Sequence, residues 1–564
     1  VALFYAGALL ACLPIHAAVA APESSKVEIE EELGPSTLSH IQCVDDDTQG
    51  AVVLRGPRSV GTCQDGYLYE SAELAFEGEG YEVIPSFRER RLNYGSAGLV
   101  GLVERAARRV RERFPDAVLR VGNLSGSHGG PIRFSRSHQS GRDVDFAFFA
   151  VDTDGRSASV DGMPRYRCSA RGREGAEGLR FDDARNWALV EALLNDGEVE
   201  VEVIFVTSCL KRRLLGHARD KRADRGLRNR AQTLMREAGD HSYRHDDHFH
   251  VRAYCSSEEL ALGCRNDPRA WPWTRVHEAR RPDEMRRLRR KLARRSPESK
   301  VAALKEIADG DYKELGGSVV RLIDHSDMRV AEAAVSAVRR LASSGALTWL
   351  RRRARSSRNI DDVLRYLRLM TAFEGDGYRT VRFLEDVVAD PDSALRARVR
   401  KKRQAQVLTA AIDATAFLGR RASVVKLVRR LSHESVEVRR AAERSLSFLT
   451  NHVEEFAAES SPRQRRRQWW EWWSKARHRR WDRVVRDGFQ RAGVEVPRNL
   501  YGWGIVRPLY KAIARGGYIS WNAQQLLREL VKDKSPRIPH VRPELAQPMW
   551  KAWLLSRLPT GAQL

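Results

Sequence analysis

Two short strings carry the residues able to do chemistry. The first is Ser137-His138-Gln139-Ser140-Gly141-Arg142-Asp143-Val144-Asp145, and the second, about a hundred residues later, is His245-Asp246-Asp247-His248-Phe249-His250. In extended chain, successive side chains point to opposite faces, so Asp143 and Asp145 share one face while Val144 and Phe146 turn to the core. By the same rule His248 and His250 lie together, with Phe249 and Val251 pointing inward. Imidazole nitrogen and carboxylate oxygen suit Zn²⁺, and a hydrolytic zinc site uses three protein ligands with a fourth position for water. His138, Asp145 and His250 supply that count, and His245 and His248 remain for proton transfer. The plain alternative is that these are satisfied core or surface residues; two clusters at matched spacing favour the metal site.

The pattern His-x₆-Asp followed by His-x-His resembles the LAS-type zinc metallopeptidases. The fuller strings Ser-His-Gln-Ser-Gly-Arg-Asp-Val-Asp and His-Asp-Asp-His-Phe-His-Val-Arg are similar to the penicillin-insensitive murein endopeptidases. The likeness runs from about Tyr81 to Cys264 and includes Gly129-Gly130-Pro131 and the run Trp187 to Val206. It implies that His138, Asp145 and His250 are the zinc ligands, with His245 and His248 beside the reactive water. Family members can hold a second metal through a histidine three residues before the first ligand; that position is Ser135, so one zinc ion is expected. The implied substrate is the D-alanyl to meso-diaminopimelyl amide of cross-linked peptidoglycan, hydrolysed without a Ser or Cys nucleophile. Two other readings stand beside it: a DD-carboxypeptidase, and a non-catalytic wall-binding scaffold. Arg142 either pairs with a substrate carboxylate or is a solvated surface charge.

The elements that must position these strings read as a mixed α+β domain. Ser96 can cap a helix in which Leu99, Leu102, Val103, Ala106, Val110 and Phe114 fall on one face, stopped by Pro115. Ala117 to Val121 reads as a short strand, and the Gly-rich turn Gly126 to Gly130 either lines a cleft or merely connects. A second helix near Trp187 to Leu194 leads to a strand at Val201 to Val206. A basic helical stretch from Leu210 to Arg236 and a strand from His245 to Val251 complete a small, mainly antiparallel sheet flanked by helices.

Ala2 to Leu13 is apolar but too short to span a bilayer, and Ala18-Val19-Ala20 has the small-x-small form of a cleavage site, so residues 1–22 read as a signal peptide. A lipoprotein-like box ending at Cys12 is equally short, and would anchor the chain by lipid. Export to the periplasm or the medium agrees with cysteine usage. Cys43, Cys63, Cys168, Cys209, Cys255 and Cys264 form an even set in the first half of the chain, expected to make three disulfides, with Cys255 and Cys264 paired. Residues 23–80 read as an irregular, disulfide-held lead-in before the peptidase domain at 81–264.

At 564 residues and 42% hydrophobic content the chain can bury more than one core. A net charge of +24 favours an anionic partner such as wall polymer, although a general arginine bias would produce the same excess; export argues against nucleic acid. No stretch reads as a transmembrane helix. Residues 265–283 read as a linker, and 284–450 become helical in pattern. There His325 to Ala334 is echoed by His433 to Ala442, each a polar turn followed by a helix with an Ala pair. This resembles HEAT repeats, an all-α solenoid whose surface would dock wall polymer or an envelope protein, or act only as a spacer. A second unit also recurs, a Leu-rich helix (Ala442 to Leu449, Asn522 to Leu530) and then a Trp-x-x-Trp helix (Trp469 to Trp473, Trp550 to Trp553), so residues 451–564 read as a Trp-rich helical region continuing the solenoid. Its aromatics are read as core packing, with a sugar-stacking surface as the alternative.

Overall fold

The computed structural model describes residues 56–173, 176–239, 244–375, 377–457, 459–496 and 502–557, except 532–535, 537, 539, 541 and 542. The signal-peptide reading, Cys12 and Cys43 lie outside them.

Alternation of apolar and polar residues builds the expected α+β domain. The strands of its hairpin and main sheet are β1 (Arg58–Thr62), β2 (Asp65–Tyr69), β3 (Glu77–Gly78), β4 (Tyr81–Val83), β5 (Leu119–Val121), β6 (Asp143–Ala147), β7 (Val201–Phe205), β8 (Met235–Arg236) and β9 (His248–Ala253). Seven of them form one sheet in the order β8-β7-β9-β6-β5-β4-β3. Only β7–β8 and β4–β5 run parallel, so the sheet is mainly antiparallel. Val144, Phe146, Phe249 and Val251 are fully buried, as the period-two rule requires.

Helices α1 (Ala97–Arg113), α2 (Asp183–Leu194), α3 (Ser208–Asp220) and α4 (Arg225–Leu234) cover the apolar side. Ser96 Oγ accepts from Leu99 N–H at the start of α1, and Asp182 caps α2 through the Ala184 and Arg185 amides. Leu99, Leu102, Val103, Ala106 and Val110 form the buried stripe of α1.

Two boundary readings change. The stretch 56–80 is not irregular: β1 and β2 make an antiparallel hairpin that buries Tyr67, Leu68 and Tyr69, and β3 joins the main sheet. Glycines and two-residue strands leave too little alternation there for a sequence to reveal it. Residues 265–283 are likewise strapped to the domain. Glu200 accepts from the Arg275 and Val276 amides, and Trp271 and Trp273 pack on the core.

From 281 onward the described chain is helical, and its residues from Leu288 to Val484 share one continuous core. The sequence echo corresponds to repeated local structure. His325 Nδ1 accepts from Asp327 N–H, and Asp327 caps helix Met328–Leu341; His433 Nδ1 accepts from Ser435 N–H, and Ser435 caps helix Val436–Thr450. Ala334 and Ala442 are buried where each helix meets its neighbour. Trp469, Trp473, Trp550 and Trp553 are core residues, at most 3% exposed.

A second core then forms from Val485 to Leu554, and it includes Val60, Tyr67 and Tyr69 of the hairpin. The last described helix, Ala546–Leu555, thus lies on β2, and Arg557 pairs with Asp65 at 2.6 Å. Gly130 sits so close beneath Ser556 that a Cβ there would collide with its carbonyl.

Glu374 joins the middle of the helical region to this terminal part. Its carboxylate accepts from His540 N–H (2.8 Å) and from Arg528 Nη1 (3.0 Å). Burial pushes the Glu374 carboxyl up, but the His540 and Arg528 donors outweigh it and hold the pKa down to about 2. A depressed carboxylate stabilises the fold fully above its unfolded pKa and loses that contribution as pH falls through the folded value. Glu374→Gln should therefore melt below the parent at pH about 6, with the gap closing as pH falls toward about 2, read by thermal denaturation.

Candidate metal centre

Strand register assembles the site. Across the β9–β6 ladder His250 lies opposite Asp145 and Arg252 opposite Asp143, and β7 sets Phe205 beside His250 on the other side. His138 comes from the turn before β6 with a positive φ of 66°, and His245 from the turn before β9 with φ 48°. Left-handed backbone is uncommon for residues with a Cβ, and both instances here hold imidazoles at the same spot.

Three donor atoms converge. His138 Nε2 and His250 Nδ1 each lie 3.3 Å from Asp145 Oδ1. His138 Nδ1 donates to the Leu124 carbonyl (2.7 Å), and His250 Nε2 donates to Asp143 Oδ1 (2.8 Å), so each ring presents its remaining nitrogen inward. His138 Nε2 and Asp145 Oδ1 are buried without a hydrogen-bond partner. Buried polar atoms are rarely left so, and a cation among them would satisfy both. Two imidazoles and a carboxylate fit a zinc-type ion.

His245, His248 and His250 form a second group within ligand distance of one another, sharing His250 with the first. The first group is wholly buried and its outward nitrogens are fixed. His248 differs: its Nδ1 bonds Asp247 Oδ1 (2.7 Å), and its Nε2 stands 3.5 Å from Asp145 Oδ1. Burial, then the neighbouring His248 and His250, pushes the His245 pKa down to about 4, so that ring is neutral at ordinary pH. Burial alone would raise Asp145, yet His138 and His248 hold it well below the usual carboxylate range.

Residues 59–274 match the family model of the penicillin-insensitive murein endopeptidases. No curated protein gives a significant match to the chain. The family match supports a murein endopeptidase acting on peptidoglycan, in a cell-wall, periplasmic or secreted setting. It begins in the β1–β2 hairpin and ends in the strap, wider at both ends than the Tyr81 to Cys264 resemblance. Among the described residues no helix is long and apolar enough to cross a membrane.

The structure brings His138, Asp145, His245, His248 and His250 together, and it removes Arg142 from contact with any substrate. Arg142 is 1% exposed, and its guanidinium donates to Glu202, to the Ala253 and Arg265 carbonyls, to Asn266 and to Cys63 Sγ. Neither a substrate contact nor a solvated charge, it ties the β6 end to β9 and the strap. Cys168 pairs with Cys209 and Cys255 with Cys264. Among the described residues Cys63 has no disulfide partner, and burial pushes its thiol up to about 12.

Sequence reading left three site residues without a role. Asp143 accepts from His250 Nε2, from Arg252 Nε (2.7 Å) and from the His138 amide (3.3 Å). Asn123 Nδ2 donates to Asp145 Oδ2 (3.2 Å), and Asp247 holds His248. Alternation already placed Asp143 on the face of Asp145; nothing in the spacing marks Asn123. Because Asp143 orients two of the candidate ligands, Asp143→Asn should lower metal affinity about 10- to 100-fold in a chelator competition titration. His138→Ala should abolish stoichiometric binding in the same assay.

Proposed function

We propose that the chain is a zinc-dependent murein endopeptidase that hydrolyses the D-alanyl to meso-diaminopimelyl cross-link of peptidoglycan. The observation that carries the zinc dependence is the convergence of His138 Nε2, Asp145 Oδ1 and His250 Nδ1 with two of those atoms otherwise orphaned. A zinc ion held there supplies Lewis acidity toward water and the scissile carbonyl.

The side chains do the rest. Asp143 and the Leu124 carbonyl lock the two ligand rings in the required tautomers. His248 is the proton carrier: Asp247 accepts from its Nδ1 and stabilises the imidazolium, leaving Nε2 to take a proton from the attacking water and return it to the leaving amine. His245, neutral and buried beside it, is a second acceptor whose Nδ1 has no hydrogen-bond partner. The helical region serves as a docking arm for anionic wall polymer, a reading supported by the net charge of +24.

The test is digestion of purified cross-linked peptidoglycan by the zinc-loaded protein, with a chelated control and mass analysis of released muropeptides. Dimers should become monomers only with zinc present. His248→Ala should lower the rate about 10²- to 10⁴-fold while zinc content stays stoichiometric. Release of terminal D-alanine with dimers intact would instead mark a carboxypeptidase, and unchanged muropeptides a binding protein.

A further inference from the structure

With Arg142 buried, it is open which cation meets an anionic substrate at the candidate metal centre. Arg90 ends the short helical turn Pro85–Arg90 that follows β4, and it is half-buried beside the metal centre. Its Nη1 donates to Asn123 Oδ1 (3.1 Å), and the other end of the same amide donates to Asp145 Oδ2 (3.2 Å). Arg90 therefore stands one side chain away from a candidate ligand.

Its surroundings hold it in place without a direct ion pair; the Asp145 charge reaches it only across Asn123. The guanidinium carbon lies 3.3 Å from the ring centre of Phe87 and 4.3 Å from that of Phe134, two faces that favour a cation. Phe134 is 47% exposed, so this packing opens to solvent rather than into the core. Several other arginines nearby have carboxylates: Arg88 has Glu77 and Glu82, Arg120 has Glu82, Arg165 and Arg173 share Asp246, and Arg252 has Asp143. Among the described residues Arg90 pairs with none. A guanidinium offers five N–H donors in a planar fork matched to a carboxylate, and here one is spent on Asn123.

The geometry points to Arg90 as the specificity residue that binds a substrate carboxylate next to the scissile amide. This rests on the proposed endopeptidase reading, which also says which carboxylate it is. In a D-alanyl to diaminopimelyl cross-link the D-alanyl carboxyl is consumed by the amide, so the nearest free carboxylate is on the carbon bearing the scissile nitrogen. Arg90 thus acts on the leaving-amine side, orienting the bond while Asn123 keeps the guanidinium and Asp145 in fixed relation.

Two muropeptide dimers, identical except that this carboxylate is free in one and amidated in the other, test the assignment. With the parent enzyme kcat/KM should favour the free acid roughly 10- to 100-fold. Arg90→Gln should cut both dimers at the amidated-substrate rate, with zinc content and melting temperature unchanged; Arg90→Lys, a point charge without the fork, should restore part of the preference. The same comparison is made by equilibrium binding in a His248→Ala background, where cleavage is not needed. A parent enzyme indifferent to amidation, or Arg90→Gln retaining the full preference in rate and binding, overturns the assignment. If neither dimer is cut, the endopeptidase reading fails, and loss of the binding preference in Arg90→Gln still upholds the carboxylate contact.

Discussion

The structure of the catalytic half depends on one buried carboxylate. Asp143 is fully buried, and a lone ion there would cost several kcal/mol, about the strength of a large part of a domain's stability. It is tolerated because Arg252, the His250 ring and the His138 amide all donate to it, and Arg252 and His250 hold its carboxyl well below the usual range against the opposing effect of burial. Those donors come from β9 and from the turn before β6, so satisfying the charge fixes the register between them. A slip of one residue would send Phe249 and Val251 to the polar face and the histidines into the core. Stability, register and the direction of the ligand nitrogens are therefore set by the same contacts.

The hairpin passes this order outward. Leu68 N–H donates to the His128 carbonyl, Gln139 N–H to Cys63, and Gly130 N–H to Gln139, so the loop leading to His138 is pinned to β1 and β2 and to itself. The other side of the hairpin takes the last described helix, Ala546–Leu555. Helical repeats contact mainly their neighbours and need their ends covered. Here the last described helices are covered by the hairpin of the peptidase domain, and the loop that leads to His138 is braced by Ser556, more than four hundred positions away in sequence.

Much of this was legible from local rules. Period-two alternation sorts site from core in both strings, Ser96 marks the start of α1, and the two His-containing turns announce equivalent helices because the same imidazole-to-amide bond recurs. What local rules miss is contact set by distance in space. The hairpin carries glycines at a tight turn in place of clear alternation, and the strap is Pro- and Trp-rich, which reads as linker until its tryptophans are seen against a core. Nothing within Ala546–Leu555 says that it packs on β2. Cys63 counts as a disulfide candidate by parity, and the cysteine left to pair with it, Cys43, lies outside the described residues; what the sequence does not show is that Arg142 donates to the Cys63 sulfur.

Arginine shows the limit most clearly, since this chain uses it everywhere and its type says nothing of its place. Arg142 lies between the ligand motifs' residues and was the obvious candidate for substrate; Arg90 lies in an unremarked run of charges. The difference is made by partners remote in sequence. Arg142 meets Glu202 and two carbonyls brought in by β7, β9 and the strap, which hold both its Nη atoms inside the protein. Arg90 meets two aromatic faces and one amide, which hold a guanidinium still without a direct carboxylate partner. A buried cation ion-paired to Glu202 inside the protein is a brace, whereas a clamped cation with no carboxylate in direct contact, beside the candidate metal centre, is suited to an anion arriving from outside.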